Sequence, residues 1–187
     1  MSWGDVGAGA LRAALLLALV GLGSAAYAAW KRDARALVSA RATAMAVLAL
    51  VLIADLAMVG ALVTHDFSLV YVAENNARAT PTFYSAISLW AALAGSILLW
   101  TLILAGAVAW VAWRGTRSLP RLATTATAIL FAMLAFFLAL VTTAAADPFT
   151  RIAAADVPLD GRGPNALLQN HPLMALHPPL QIGRAHV

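Results

Sequence analysis

The hydrophobic residues of this chain are collected in four long runs, at about residues 9–30, 43–63, 86–113 and 122–145. Each run reaches the ~20 residues that an α-helix needs to cross the hydrocarbon core of a bilayer. None alternates with a period of two, and an open strand would leave backbone groups unpaired in lipid, so each run predicts a helix. The pattern therefore predicts an all-α integral membrane protein whose residues 1–145 form four transmembrane helices.

The polar segments between the runs predict their orientation. Basic residues concentrate in the segments that join the first run to the second and the third to the fourth; they are Lys31, Arg32, Arg35, Arg41, Arg114, Arg117 and Arg121. Segments 64–85 and 146–180 carry charges of both signs. Because cytoplasmic loops are enriched in Lys and Arg, we expect the N-terminus, the 64–85 loop and the polar 146–180 loop on the external side.

Composition narrows the class of protein further. Hydrophobic residues make up 63% of the 187 and charged residues 11%, against about 45–50% and roughly 25% in soluble domains. The net charge is +4, and the basic residues lie at the ends of the apolar runs. This placement is typical of a protein in a lipid bilayer rather than of one that binds nucleic acid. Cysteine is absent, which excludes disulfides, thiolate metal sites and a cysteine nucleophile.

The first run has a second interpretation as a cleaved signal peptide, because Ala26-Tyr27-Ala28 has the small-x-small form of a cleavage site. Only one cation, Arg12, precedes that site, and the run from Leu11 to Trp30 is long enough to span a bilayer. The prediction is a retained first helix.

Three motifs in the polar and interfacial segments carry a family resemblance. They are Asp66–Asn76 (Asp-Phe-Ser-Leu-Val-Tyr-Val-Ala-Glu-Asn-Asn), Leu89-Trp90 with Gly95–Trp100, and the His177-Pro178-Pro179 triplet that follows a polar stretch beginning at Asp160. With them the chain resembles, over about residues 9–180, the N-terminal part of the CcmF-type haem-lyase family of cytochrome c biogenesis proteins. One departure is Ala94, where that family commonly carries an acidic or other polar residue.

The resemblance implies a role in cytochrome c maturation in the bacterial cytoplasmic (inner) membrane. Members of the family receive haem b as a substrate from a haem chaperone, hold it by external histidines and attach it to apocytochrome c, together with other maturation subunits. An intact member is a component of a cytochrome c synthetase, a haem ligase, whereas this chain alone is expected to be inactive. No run has a histidine in its interior, so these residues do not support the structural haem of intact relatives.

His177 is the candidate haem ligand. The two prolines after it restrict its backbone to extended conformations and so fix the direction of its ring, and neutral imidazole is the commonest metal-binding side chain. The resemblance implies that it is an axial ligand of haem iron on the external face. The alternative is that the prolines form the first turn of another helix. His171, in the same loop, is either a second ligand or a solvated histidine.

Asp55 lies near the middle of the second run, where insertion scales give a carboxylate a cost of about 2.5–3.5 kcal/mol. We expect it to be protonated or to bond hydroxyls of the fourth run, such as those of Thr124, Thr125 and Thr127. The alternative is a proton or ligand pathway.

In the third run, Trp100 is expected to pack between helices, with stacking on a porphyrin as the alternative. Gly95, Ser96 and Gly106 give that run a small-residue face for close helix contact.

In the 64–85 loop we expect apolar residues at the membrane interface, namely Phe67, Val70, Tyr71 and Val72. We expect Glu74, Asn75 and Asn76 to be in water, and His65 to be an ordinary polar residue.

Two other functions remain open. The first is a non-catalytic membrane scaffold that docks partners through its external loops. The second is a small transporter that uses Asp55; it would require an inverted repeat, which the sequence does not show.

Residues 181–187 (Gln-Ile-Gly-Arg-Ala-His-Val) match the translation of one frame of a common sequencing-library adapter. In the family that the chain resembles, an apolar helix follows the His-Pro-Pro triplet. We therefore expect a natural sequence that ends near Leu180 as a piece of a longer protein, and assign no function to His186. The alternative is a genuine short polar tail.

Overall fold

The computed structural model describes residues 2–115, 120–143, 146–165 and 173. In this part of the chain the α-helices are α1 (Trp3–Lys31), α2 (Ala34–Val63), α3 (Val70–Asn75), α4 (Thr82–Ile87), α5 (Leu93–Trp110) and α6 (Pro120–Val141). A π-helical turn, Val111–Gly115, extends α5, and 3₁₀ turns lie at Ser88–Trp90 and Ala154–Asp156. Helices α1, α2, α5 and α6 are long and apolar enough to cross a membrane, which confirms the predicted fold class.

The four long helices form a bundle. Helix α1 packs against α2 and α6, and α5 packs against the same two helices. Successive long helices run in opposite directions, so α1 and α5 begin at the end of the bundle where α2 and α6 finish. We call this end the cap end. The opposite end carries Lys31, Arg32, Arg35, Arg41, Arg114 and Arg121, and we call it the basic end.

A two-residue turn at the basic end joins α1 to α2. Arg32 adopts the left-handed conformation (φ 56°) and donates its backbone N–H to the Ala28 carbonyl, which ends α1. Asp33 then accepts a hydrogen bond from the Ala36 N–H at 2.7 Å and caps α2. Because both helix ends are satisfied within so short a turn, α1 and α2 form an antiparallel hairpin.

Small residues let the two helices of this hairpin approach closely. Most buried positions of α1 recur at alternating spacings of three and four, at Gly4, Gly7, Leu11, Ala14, Ala18, Gly21, Ala25 and Ala28. Most of those of α2 follow the same rule, at Ala40, Ala44, Val47, Val51, Ala54, Met58 and Ala61. A 3.5-residue repeat favours left-handed helix pairing, and Ala and Gly at the contact suit packing in lipid, where van der Waals fit replaces the hydrophobic effect.

The third long helix begins at Leu93, later than the 86 expected from hydropathy. Short helix α4 and the Ser88–Trp90 turn occupy the start of that run, and the extended backbone of Ala92 (φ −137°, ψ 168°) separates them from α5. The predicted small-residue face is also used differently. A Cβ at Gly95 would lie 1.8 Å from the Leu89 carbonyl oxygen, whereas one at Gly106 would meet nothing within 4 Å. Gly95 therefore serves a turn, and Gly106 faces open space.

Candidate functional site at the cap end

Two segments distant in sequence, residues 64–90 and 146–165, fold together over the cap end; we call them the cap. They meet in an antiparallel bridge between Leu69 and Arg151. The Val70 N–H donates to the Thr150 carbonyl at 2.9 Å, and the Ile152 N–H donates to the Ser68 carbonyl at the same distance. The polar tail that was predicted as a loop is thus paired, at its start, with the loop between α2 and α5.

A second set of backbone bonds closes the cap at its far side. The Arg162 N–H donates to the Ala73 carbonyl at 2.8 Å, and the Gly163 N–H donates to the Asn76 carbonyl at 3.0 Å. Gly161 passes so close to this point that an added Cβ would lie 2.0 Å from the Asn76 carbonyl oxygen. Gly163 has a φ of +85°, which L side chains rarely adopt. Both glycines are therefore needed for the tail to lie against α3.

Asn76 is the polar centre of the cap. Its side chain is 0% exposed. Its amide Nδ2 donates to the Leu62 carbonyl, near the end of α2, at 2.5 Å, and its Oδ1 accepts from the Ala77 N–H at 2.9 Å and the Ser85 hydroxyl at 3.1 Å. One amide thus ties α2 to α4, and the expectation that Asn76 lies in water is wrong.

Tyr71 fixes the turn that precedes α5. Its hydroxyl donates to the Ser88 and Leu89 carbonyls at 2.9 and 2.8 Å. Burial raises the pKa of the Tyr71 phenol, so the ring stays a neutral donor. Tyr71 and Val72 are buried within the cap, and Tyr71 lies against Gly95 at the start of α5.

Asp160 orients the tail through a charged contact. Its Oδ1 accepts from the backbone N–H of Arg78 at 2.8 Å and from that of Gly161 at 2.8 Å. These bonds, mainly that from Arg78, hold the pKa of the Asp160 carboxyl below its ordinary value of 3.8. The Arg78 Nε donates to the Leu159 carbonyl at 2.9 Å, so both partners are held in place at the surface.

The cap is also anchored to the first helix. Phe149 is 4% exposed and lies against Gly7, where an added Cβ would approach its ring to 2.0 Å. The Arg151 guanidinium pairs with Asp5 at 2.8 Å and donates to the Ser2 hydroxyl. Since this pair is about half exposed, it contributes orientation more than stability.

Between α3 and the tail, the surface of the cap has an open cavity of about 360 Å³. Charged side chains of both signs line it, those of Glu74, Asp156, Asp160 and Arg162. The chain that leads toward His177 continues from Asn165, two residues after the Gly163 contact. Arg162, which lines the cavity, also makes the backbone bond to Ala73 that closes the cap.

His177 and His171, the candidate ligands from the sequence, lie outside the described residues, and so do the prolines beside them. Within the described ranges, no three His, Asp or Glu side chains converge to hold a metal ion. Trp100 lies on α5 and is partly buried. The structure does not bring it into the cap.

Asp55 is 4% exposed on α2, and neither carboxyl oxygen has a hydrogen-bond partner among the described residues. The expected bonds to fourth-helix hydroxyls are therefore wrong, and Thr127 donates to the Ala123 carbonyl instead. The reason is depth. Asp55 lies eight residues from the cap end of α2, whereas Thr127 is near the basic end of α6, roughly 20 Å away along the bundle axis. Its proposed part in a pathway stays a prediction.

His65 differs from the ordinary polar residue that was expected. It ends α2 in the left-handed conformation (φ 55°), and its ring lies edge-on to Phe67 with centroids 6.0 Å apart. In the part of the chain described here, its buried Nε2 has no hydrogen-bond partner.

The residues that hold the cap together were not singled out from the sequence as structural. Asn76 stands in a polar stretch that reads as solvated, and no local pattern marks one asparagine of a pair as buried. The Asp160-Gly161-Arg162-Gly163 stretch did carry a turn signal in its glycines, although its partner on α3 could not be read from it.

Four helices that are long and apolar enough to cross a membrane, packed as a bundle and closed at one end by a hydrogen-bonded cap, define the class as a multi-pass helical membrane protein. No family model matches the chain. It is 35% identical to the cytochrome c-type biogenesis protein CcmF of Pseudomonas aeruginosa over 94% of this chain and 26% of that protein. The corresponding figures for CcmF of Escherichia coli strain K12 are 34%, 94% and 27%.

The solved structure named cytochrome c heme lyase CcmF superposes with a TM-score of 0.77 at 34% identity, over 96% of this chain and 27% of that one. The chain belongs to the CcmF family of cytochrome c-type biogenesis proteins. It spans about a quarter of the length of these relatives.

Proposed function

We propose that the chain acts in cytochrome c maturation, as the part of a haem-lyase protein that carries an external haem ligand on a folded cap. The names of its relatives, a cytochrome c-type biogenesis protein and a cytochrome c heme lyase, support the pathway. The observation that carries the proposal is the contact of residues 161–163 with residues 73–76. Because of it, the segment that leads to His177 starts from a fixed point.

In this proposal haem b is the substrate and His177 supplies one axial imidazole to its iron. A histidine whose segment starts from a fixed point on the cap loses less conformational freedom when it binds haem than a histidine on a free tail does. Held haem then presents its vinyl groups to the thiols of apocytochrome c, and orientation supplies much of the rate gain. The haem chaperone, the apocytochrome and the other maturation subunits are the partners. Joining haem to protein is the work of the whole protein, and this chain alone is inactive.

The cap end lies on the external side of the bacterial cytoplasmic membrane in this proposal. The support is the concentration of Lys and Arg at the opposite end of the bundle, since such residues favour the cytoplasmic side. Alkaline phosphatase fused after Asn165 should be active, and green fluorescent protein fused there should be dark. The reverse result would place the cap in the cytoplasm and remove the proposal.

The ligand assignment is tested directly by titrating the chain in nanodiscs with haem and monitoring the Soret absorption of the haem. His177→Ala should weaken haem binding by at least about tenfold, because an axial ligand is lost. His171→Ala is the matched control and should change binding less than about twofold, since that histidine is expected to be solvated. Unchanged binding in His177→Ala refutes the assignment. A chain that binds no haem but captures apocytochrome c would be the scaffold instead.

A further inference from the structure

An apolar groove of about 300 Å³ runs along the outer surface of the bundle between α2 and α5, near the basic end. Its lining residues are Met45, Leu48, Gly106, Ala109, Trp110 and Trp113. Gly106 leaves the groove open, because a Cβ there would meet nothing within 4 Å. A groove of this lining, inside the span of two membrane helices, fits a hydrocarbon chain.

Two guanidinium groups lie at the end of this groove. That of Arg114 rests on the Trp110 ring, 5.1 Å from its centroid, so the cation sits on a side chain that lines the groove. The Arg41 Nε donates to the Ala112 carbonyl at 3.1 Å, which places a second cation beside the turn between Trp110 and Trp113. The two cations therefore lie next to the apolar groove.

The local backbone supports this arrangement. Residues Val111–Gly115 form a π-helical turn, a feature that is frequent at functional sites. Trp110 is 63% exposed and Trp113 is 49% exposed, as interfacial tryptophans at headgroup level are. The groove thus ends beside Arg114, where the third candidate membrane span ends.

We propose that this groove is a binding site for an anionic phospholipid. One acyl chain lies between α2 and α5 over Gly106, and the phosphate is bound by Arg114 and Arg41. Charge complementarity favours this occupant over a further apolar helix, because a phospholipid brings an anion to this depth in every copy. Trp110 and Trp113 border the acyl chain and the headgroup region. The site is independent of the cap and of the proposed haem ligand.

Native mass spectrometry of the purified chain, with added phosphatidylglycerol or phosphatidylcholine, tests the proposal. The wild type should retain phosphatidylglycerol preferentially. Arg114→Gln should lower phosphatidylglycerol binding about fivefold and leave phosphatidylcholine unchanged, since a cation at a lipid surface contributes about 1 kcal/mol. An unchanged preference for the anionic lipid would overturn the phosphate assignment.

Gly106→Leu tests the apolar groove separately from the phosphate contact, because the added side chain fills the groove. Retention of both lipids should fall by about tenfold or more. Gly23→Leu is the matched control, since Gly23 is also a helical glycine whose added Cβ meets nothing within 4 Å, and its lipid retention should equal that of the wild type. Equal retention in both variants would place the lipid elsewhere. Conversion of a dimer to a monomer by Gly106→Leu would identify a second copy as the occupant and overturn the proposal.

Discussion

The two ends of the bundle are held by different interactions. At the cap end, segments separated by more than eighty residues, such as those of Arg78 and Asp160, are joined by hydrogen bonds, and the centre of the contact is a fully buried amide. At the basic end, a two-residue turn with its own caps joins α1 to α2, and the charged side chains lie at the surface. The cap end depends on a buried polar group and on partners distant in sequence, whereas the α1–α2 turn at the basic end depends on its own local caps.

This difference follows from the cost of burying polar groups. A buried amide that loses its partners keeps the full desolvation penalty, whereas a surface cation loses only a screened interaction. Substitutions at the cap end should therefore destabilise the protein more than comparable ones at the basic end.

The largest effect is expected for Asn76→Ala. The substitution removes bonds to the Leu62 carbonyl, the Ala77 N–H and the Ser85 hydroxyl, so the free energy of unfolding should fall by about 3 kcal/mol. Equilibrium unfolding in mixed micelles measures it. Asn75→Ala, which removes one partly buried bond to the Tyr71 carbonyl, should cost less than about 1 kcal/mol. Equal losses in the two variants would show that Asn76 is not the centre of the cap.

A smaller loss is expected for Gly95→Ala. Its Cβ would lie 1.8 Å from the Leu89 carbonyl oxygen and 2.3 Å from the Tyr71 hydroxyl, so the turn before α5 must shift, at a cost of about 2 kcal/mol. Gly106→Ala, on the same helix but toward the basic end, should be neutral or stabilising by up to about 1 kcal/mol, because alanine favours helix. The same unfolding experiment compares them. A neutral Gly95→Ala would contradict the close turn.

The smallest effect concerns pH. The pKa of Asp160 is lower in the folded protein than its ordinary 3.8, so its stabilising contribution is complete above that pH and is lost as the pH falls through the folded value. Protection of the Arg78 and Gly161 amides against hydrogen exchange should therefore drop below pH 3.8. Asp160→Asn should remove this pH dependence, and Asp156→Asn should leave it. A dependence that persists in Asp160→Asn would point to another group.

The sequence predicted the long helices well and the cap poorly, for a physical reason. A membrane helix satisfies its own backbone, so twenty apolar residues are enough to indicate it. The start of α5 was displaced because Tyr71, which lies outside the hydropathy window, bonds the turn that packs closely against Gly95. Asn76 was placed in water because its partners, Leu62 and Ser85, are known only once the chain has folded back.

For the candidate site, the sequence supplied residue types and the structure supplied neighbours. The sequence marked Asp160 only as the start of a polar stretch, and the structure shows that residues 161–163 close the cap. Asp55 is buried, but its expected hydroxyl partners lie at another depth, because hydropathy shows where a residue lies along its own helix and does not align one helix with the next. The role of His177 stays a prediction.

The two segments of the cap are far apart in sequence, so the contacts of the protein form in a set order during its synthesis. The α1–α2 hairpin needs only residues close in sequence, so it can pack in the membrane while the ribosome is still producing α5. The Asn76 carbonyl must wait for the peptide group of Gly163, which is synthesised after α6. Until then the Ser68, Ala73 and Asn76 carbonyls lack their partners from the tail, and that interval is when a chaperone or a protease has access to them.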